Sequence, residues 1–248
     1  MKCIGIDGTP GGWITVTEDN CSLVPAWIPE EDITGFLDRA IRDEQVQIGI
    51  DIPIGLPDAS YPHNRACDAS ARSLLRWKSS SIFAPPCREA LQALQAGYPV
   101  ASRTNQQVMG RKLSRQSFFI AGKMKTIDDW IQPADQQQLH EVHPELAFTQ
   151  LNGGTPLPFK KNQGNGICQR LLLLRAHFPS LTAEWFAHYQ HALGASKTDD
   201  LLDALVCLLT LKLKRKTLPY GLHEQGNEYL TTDSRGLEAT ITFPVTIL

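Results

Sequence analysis

Acidic residues that end apolar segments are the part of this sequence best suited to chemistry. Asp7 ends the apolar run 3–6, and Asp51 lies near the end of the apolar run 46–52. A carboxylate at the end of a buried strand is costly to desolvate unless a positive group meets it there. In α/β sheets, ligands bind outside the carboxyl ends of the strands. We therefore expect Asp7 and Asp51 to belong to one functional site.

Further acids complete the candidate catalytic set. Glu141, with Glu145 as the alternative, lies beside another predicted strand, and Asp200 and Asp203 lie on a long apolar helix. The i, i+3 spacing of Asp200 and Asp203 places both on one helical face. Asp203 interrupts the apolar run 201–206, where a charge is not expected unless a site requires it.

Some of these acids also have ordinary structural explanations. Ser196 and Asp199 match a capping box, so we interpret Asp199 as structural. Asp200 could instead complement the helix dipole, and Asp7 could form a turn before the glycine-rich segment 8–12. That segment is not a phosphate-binding P-loop, because no Gly-Lys-Ser/Thr follows it.

Convergence of these acids would have a chemical consequence. Like charges in one small volume need either raised pKa values or bound cations. A site with only oxygen ligands suits Mg²⁺ or Mn²⁺. Two such ions can activate a water and stabilise the leaving oxygen of a phosphodiester. We predict that Asp7, Asp51, Asp200 and Asp203 bind Mg²⁺ or Mn²⁺, and that Glu141 assists catalysis.

The elements that must position these acids follow an α/β order. Three short segments separated by tight turns, 3–7, 13–17 and 22–28, predict an antiparallel meander. A helix over 33–41 and a strand over 46–52 that is buried on both faces come next.

The rest of the chain adds mainly helices. We predict a helical, polar-rich insertion at about 58–135, and then a strand, three helices and an edge strand at 139–142, 167–178, 182–193, 201–213 and 237–248. No internal repeat or long linker divides the sequence. One domain over residues 1–248 is the resulting prediction.

Composition excludes several classes of protein. The net charge of −2 argues against coating nucleic acid by bulk charge, although it allows a local basic groove. No signal peptide or membrane-spanning stretch is predicted, so we expect a cytoplasmic protein. The 6 cysteines show no C-x-x-C spacing, which argues against a zinc ribbon or a redox dithiol.

Several polar and cationic side chains are suited to binding phosphate. Guanidinium and ammonium groups form charge-assisted hydrogen bonds with phosphate oxygens, and hydroxyl and amide groups add donors. The candidates for substrate binding are Arg65, Arg72, Ser80, Ser81, Gln116, Lys123, Lys160 and Lys161. Arg88 and Arg170 are further donors of the same kind.

Taken together, the motifs resemble one known family. They occur in the order IGIDG at 4–8, GGW at 11–13, IDIPIGLP at 50–57, RxCDxxAR at 65–72, SSIF at 80–83, EVHPE at 141–145 and DDxxDA at 199–204. In this combination the sequence resembles a family of predicted nucleases with the ribonuclease H fold. The resemblance covers nearly the whole chain.

The resemblance implies a three-layer α/β/α domain with a mixed five-stranded sheet in the order 3-2-1-4-5. In that fold the first and fourth strands are neighbours, which would place Asp7 beside Asp51. The final helix of related folds brings acids to the same place, as expected here for Asp200 and Asp203. The stretch 141–145 resembles a signature of the family itself.

The leading functional hypothesis is therefore a metal-dependent phosphodiesterase that acts on nucleic acid. A nucleotide-dependent phosphotransferase of the actin and sugar-kinase type is an alternative, because those proteins also begin with an Asp-Gly turn between strands. Such proteins usually contain two copies of the fold, and this sequence shows no repeat. A non-catalytic module that binds metal or nucleic acid is the third possibility.

Overall fold

The computed structural model describes residues 2–19, 22–193, 198–219 and 229–245, and of residues 190–192 it describes the backbone only. The contacts divide the chain into two compact units. The first unit comprises residues 1–51, 138–216 and 242–248, and the second comprises 52–137 and 217–241. The second unit contains the region predicted as a helical insertion, together with a later segment that the sequence did not assign to it.

The first unit is built on a mixed five-stranded sheet. Its strands are β1 (Lys2–Thr9), β2 (Gly12–Asp19), β3 (Ser22–Pro29), β4 (Val46–Ile50) and β5 (Leu139–Glu141). The strand order is β3-β2-β1-β4-β5, in which β2 is antiparallel to both β1 and β3, and β4 is parallel to both β1 and β5. The predicted sheet order and the neighbouring positions of the first and fourth strands are confirmed.

Helices account for most of the remaining structure. They are α1 (Ile33–Ala40), α2 (Ala66–Leu75), α3 (Arg88–Gln92), α4 (Tyr98–Met109), α5 (Arg115–Trp130), α6 (Pro144–Leu151), α7 (Gly164–Arg175), α8 (Ala183–Leu193) and α9 (Thr198–Lys212). Each predicted helix of the first unit is present, with ends shifted by a few residues. The proposed cap at Ser196 lies outside the described residues.

The C-terminal segment differs from the prediction. A short strand, β6 (Arg215–Leu218), pairs with β7 (Ile241–Pro244) in a separate two-stranded sheet. Within the described part of the predicted edge strand, residues 241–244 form β7, and a bridge joins Val142 to Thr242. β6 escaped prediction because its sequence RKTL has one buried residue and shows no alternating apolar pattern.

Helix α9 is the centre of the first unit. Its residues from Leu201 to Leu211 are all buried, as expected for a helix that is apolar on every face. It packs on β1, β2 and β4 on one side and on α6 and α7 on the other. Because α9 packs directly on the central strands, a side chain on the surface of α9 that faces the sheet lies next to those strands.

Two glycines let α9 approach the sheet this closely. A Cβ atom at Gly5 would lie 1.9 Å from the carbonyl oxygen of Ala204, and one at Gly49 would lie 2.8 Å from that of Cys207. Gly5 and Gly49 are partners in the β1–β4 ladder. They form a flat patch under the helix, which we call the glycine floor.

The opposite face of the sheet is also buried. Side chains alternate between the two faces of a strand, so Ile4, Ile6, Ile48 and Ile50 point away from α9, and all of them are buried. Helix α1 buries Ile33 and Leu37. The mixed sheet and its helices fit the predicted three-layer α/β fold.

The second unit is mainly helical, and an arginine with three carboxylate partners lies within it. Arg88 makes a bidentate pair with Asp128, with Nε–Oδ2 and Nη2–Oδ1 distances of 2.9 and 2.8 Å. It also contacts Asp58 and Asp233. Asp233 in turn accepts hydrogen bonds from the backbone N–H groups of Leu56 and Leu237. Arg88 therefore joins segments that are distant in sequence.

Replacing Arg88 with methionine is expected to destabilise the second unit strongly. The change leaves three buried carboxylates without their shared cation, and loss of one partner of a buried pair costs about 3–5 kcal/mol. Urea unfolding measures the change. Lys125→Met, which breaks the exposed Lys125–Asp129 pair, is the control and should cost less than about 1 kcal/mol. Equal losses in the two variants would contradict a structural role for Arg88.

Candidate metal centre

The carboxyl ends of β1 and β4 place two aspartates side by side. Ile6 pairs with Ile50 in the parallel ladder, and the N–H of Asp51 donates to the carbonyl of Ile6 at 3.1 Å. Asp7 and Asp51 each follow a residue of the Ile6–Ile50 pair, so they lie side by side at the ends of neighbouring strands. Asp7 is 5% exposed, and one of its carboxylate oxygens accepts a hydrogen bond from the N–H of Gly8 at 2.8 Å.

Helix α9 adds a third carboxylate to this end of the sheet, and this one is buried. Asp203 is 2% exposed and directly precedes Ala204, whose carbonyl rests on the glycine floor. Cys207 lies one helical turn later and is also buried. Burial raises the pKa of its thiol, and the charges of Asp51, Asp7 and Asp203 raise it further. We call Asp7, Asp51 and Asp203 the acid cluster.

The carboxyl groups of Asp51 and Asp203 lie close enough to Asp7 for their charges to affect its ionisation. Burial, and then the charges of Asp51 and Asp203, raise the pKa of Asp7 well above its usual value. Burial and the charge of Asp203 raise the pKa of Asp51 to about 8. Burial likewise raises the pKa of Asp203, although Lys161 opposes the shift. Mutual repulsion between buried carboxylates is the condition under which bound cations become favourable.

Lys161 is the cation nearest to the acid cluster. Its Nζ lies 2.6 Å from Oδ2 of Asp203, and its side chain is 45% exposed. Desolvation would lower the pKa of Lys161, but the charges of Asp203, Asp7 and Asp51 outweigh that effect and raise it. The ammonium therefore neutralises part of the negative charge and reaches from the cluster towards solvent.

A third glycine places Lys161 at the cluster. The carbonyl of Lys160 accepts a hydrogen bond from the N–H of Gln163 at 3.1 Å. A Cβ atom at Gly166, in the first turn of α7, would lie 1.9 Å from that same carbonyl. The segment before α7 can fold back over the helix only because residue 166 has no side chain.

Residues of the stretch 141–145 make contacts that fix α6 and the buried Arg170 near the cluster. His143 caps α6, with its Nδ1 accepting a hydrogen bond from the N–H of Leu146 at 3.3 Å. Glu145 binds the buried Arg170, with an Oε2–Nη2 distance of 2.6 Å. Burial raises the pKa of Asp203, and the positive charge of Arg170 opposes that rise. Arg170 thus acts inside the protein rather than as an exposed phosphate ligand.

The other predicted acids lie close to the cluster but differ in position. Glu141 is buried and pairs with Ile50 in the ladder, one position before Asp51. Its charge contributes to the raised pKa of Asp51. Asp200 is half-buried in the first turn of α9 and contributes to the raised pKa values of both Asp7 and Asp51.

Most predicted substrate-binding residues belong to the second unit. Arg65 is buried and pairs with Asp68 at 3.3 Å, and Arg72 donates to the carbonyl of Ile82 at 3.1 Å. Ser81 donates to the carbonyl of Lys78 at 2.8 Å. Ser80 and Gln116 are exposed, and Lys123 is half-buried. In the first unit, Lys160 is exposed beside Lys161.

A run of basic residues in the sequence marks a further candidate site. Residues 90–127 contain no Asp or Glu, yet the same segment carries Arg103, Arg111, Lys112, Arg115, Lys123 and Lys125. A run of one charge sign in a chain with a net charge of −2 is informative about binding partners. Arg103, Lys112 and Arg115 of this segment line a cavity of the second unit.

The fold and the site together define an α/β protein with an acid cluster, largely buried, at the carboxyl ends of two parallel strands. Residues 5–215 match the family described as "Protein of unknown function (DUF429)", and the chain belongs to that family. No curated protein and no solved structure matches the chain. No helix within the described residues is long and apolar enough to cross a membrane.

Proposed function

We propose that this protein is a metal-dependent phosphodiesterase that acts on nucleic acid. The observation that carries the proposal is the acid cluster, in which the buried Asp7 and Asp203 and the half-buried Asp51 come from β1, α9 and the end of β4. Burial and the charges of Asp51 and Asp203 raise the pKa of Asp7, and burial and the charge of Asp203 raise the pKa of Asp51. A protein has little structural reason to bring three carboxylates together at one end of its sheet. Strongly perturbed carboxylates in one place are typical of functional sites.

The chemistry of the donors fits Mg²⁺ or Mn²⁺. The cluster offers only carboxylate oxygens, which are the ligands these ions prefer. Within the described residues, no three His, Cys, Asp or Glu side chains are placed so that they could hold a metal ion, so binding would require the carboxylates of the cluster to move closer together. We propose Asp7, Asp51, Asp203 and Asp200 as the residues that would hold the ion. A bound divalent ion would activate a water molecule and stabilise negative charge on a phosphodiester.

Residues of the chain itself would prepare the site for that reaction. Lys161 holds Oδ2 of Asp203 and so fixes the orientation of that carboxylate. Because its side chain is partly exposed, its ammonium can also meet a phosphate oxygen of a bound substrate. Lys160 would add a second positive charge from the surface. Glu141, which acts on Asp51 through its charge, would tune the cluster without contacting the substrate.

Loss of metal-dependent cleavage in Asp7→Asn tests this function. Fluorescently labelled single- and double-stranded DNA and RNA are incubated with wild type and variant in Mg²⁺, in Mn²⁺ and in EDTA. We expect cleavage by wild type that requires a divalent ion and that Asp7→Asn reduces at least about 100-fold, because disturbing even an outer partner of a metal ligand costs about 10–100-fold.

The control for this test is Asp32→Asn, which removes an exposed carboxylate with no capping hydrogen bond. It should cleave as wild type does. Equal activity in wild type and Asp7→Asn would remove Asp7 from the mechanism. Tight binding of ATP in calorimetry, with no cleavage of any nucleic acid, would favour a phosphotransferase instead.

A further inference from the structure

One face of α4 lines a cavity in the second unit. Pro99, Ser102, Arg103 and Gln106 follow the i, i+3, i+4, i+7 spacing that places residues on a single helical face. With Tyr98, Lys112 and Arg115 they surround a cavity of about 420 Å³. We call it the basic cavity. It is large enough for a phosphate group together with part of the molecule that carries it.

The charge of the basic cavity is entirely positive. Arg103, Lys112 and Arg115 line it, and none of its lining residues is acidic. No ion pair among the described residues involves any of the three. By contrast, Arg88 and Arg170 are bound to carboxylates. Three cations without a carboxylate partner around one concave surface attract an anion.

Hydrogen bonds and a ring contact hold the cationic residues in place. The guanidinium of Arg115 lies 4.1 Å from the centre of the Tyr98 ring. The Tyr98 hydroxyl donates to the carbonyl of Leu113 at 2.9 Å, and the side-chain amide of Asn105 donates to the carbonyl of Arg111 at 2.9 Å. The segment that carries Lys112 is therefore tied to α4 on both sides of that residue.

An exposed aromatic side chain lies beside the basic cavity. Phe119 is 77% exposed and follows Arg115 by four residues on α5, so both lie on one face of that helix. Proteins that bind single-stranded nucleic acids combine an aromatic ring with a positively charged groove. Bases stack on the ring, and the phosphates contact the cations. A cation cluster alone would fit any anion, whereas the ring favours a ligand with bases.

We propose that the basic cavity binds a backbone phosphate of single-stranded nucleic acid and that Phe119 stacks on an adjacent base. The inference deepens the proposed function, on which it rests, by naming single strands as the substrate class. Ser102 and Gln106 would add neutral donors to the phosphate, and Arg103, Lys112 and Arg115 the charge.

Binding of a labelled single-stranded oligonucleotide in EDTA tests the basic cavity. The variant combines Arg103→Gln with Lys112→Gln, both at exposed positions. Removing two phosphate contacts should lower the slope of log K against log[salt] by about 1.4, which corresponds to roughly 10–30-fold weaker binding near 0.1 M salt. Phe119→Ala should weaken binding about fivefold or more without changing the salt slope.

A charge-matched control and competing ligands decide the outcome. Arg42→Gln with Lys214→Gln removes two exposed charges from the first unit and should change affinity less than about threefold. Equal losses in both double variants would reduce the effect to bulk charge and overturn the proposal. So would inorganic phosphate or a mononucleotide that binds as tightly as the oligonucleotide. Binding to phosphatidylserine vesicles without binding to the oligonucleotide would overturn it as well.

Hydrolysis of bis(p-nitrophenyl) phosphate separates this inference from the proposed function. That diester carries a single phosphate and no base, so its hydrolysis tests the catalytic groups without stacking or a second phosphate contact. If the Arg103/Lys112 variant hydrolyses it as wild type does but binds the oligonucleotide weakly, both ideas stand. If the wild type binds the oligonucleotide but hydrolyses no diester, only the proposed phosphodiesterase activity is overturned. Hydrolysis with unchanged binding in the variant overturns the basic cavity alone.

Discussion

Asp51→Asn is expected to abolish metal-dependent hydrolysis and, in the same protein, to raise the melting temperature measured in EDTA. The first effect follows if Asp51 holds the ion. The second follows because the ionised form of Asp51 is unfavourable in the folded protein, where burial and the charge of Asp203 raise its pKa to about 8. A carboxylate that serves only the fold would show the opposite effect on stability.

The stabilisation should depend on pH in a defined direction. A group whose pKa is raised on folding favours the folded state below its unfolded pKa, and this contribution is lost as the pH rises through the folded pKa. The gain of Asp51→Asn over wild type should therefore be small near pH 4 and grow up to about pH 8. It should reach the order of 2–4 kcal/mol, or roughly 5–15 °C in Tm for a chain of this size.

Thermal unfolding followed by circular dichroism in EDTA, at several pH values, measures this gain. Asp32→Asn is the matched control and should show no such growth with pH. Addition of Mg²⁺ or Mn²⁺ should then raise the Tm of wild type more than that of Asp51→Asn, since a ligand stabilises only the state that binds it. A variant that is less stable than wild type at pH 8 would contradict the electrostatic description of the cluster.

Gly5→Ala is expected to cost at least about 3 kcal/mol of stability and to remove activity. Its Cβ would overlap the carbonyl oxygen of Ala204 at 1.9 Å and would also lie 2.6 Å from the backbone N of Leu208. Neither neighbour is a flexible side-chain end, so α9 must move as a whole. Overpacking of a tight core typically costs about 1–3 kcal/mol and sometimes more, and here it also displaces Asp203.

A graded series of alanine variants keeps this prediction testable if Gly5→Ala fails to fold. At Gly49 the nearest atom to a Cβ is 2.8 Å away, so Gly49→Ala should fold with reduced stability and activity. Gly122, in the middle of α5, has nothing within 4 Å of its Cβ position. Gly122→Ala should be stabilising by up to about 1 kcal/mol. Urea unfolding that gave any other order of stability would argue against the glycine floor.

Much of the fold follows from local patterns that a single sequence displays. Alternating and continuous apolar runs predicted the strands of the main sheet, and the apolar faces predicted α1 and α9. The acids at the strand ends stood out because a charge next to a buried run needs a reason. Asp203 was the clearest of them, since it interrupts a helix that is otherwise apolar on all sides.

The rest depends on contacts between residues that are distant in sequence. Nothing local distinguishes Lys161, which reaches Asp203, from Lys160, which does not, because the choice is made by the close approach of the chain to Gly166. The partners of Arg88 lie 30, 40 and 145 positions away. Such pairings arise only when the packed chain brings the segments together, and periodicity carries no information about them.

Lys161 gives the protein an internal counter-ion on a flexible tether. Binding of a divalent ion would then replace one positive charge with another, and the partly exposed ammonium of Lys161 would move towards solvent. The affinity for such an ion would then be the difference between two attractions and would be lower than the carboxylates alone would provide. Without an ion, the ammonium of Lys161 compensates part of the negative charge of the cluster.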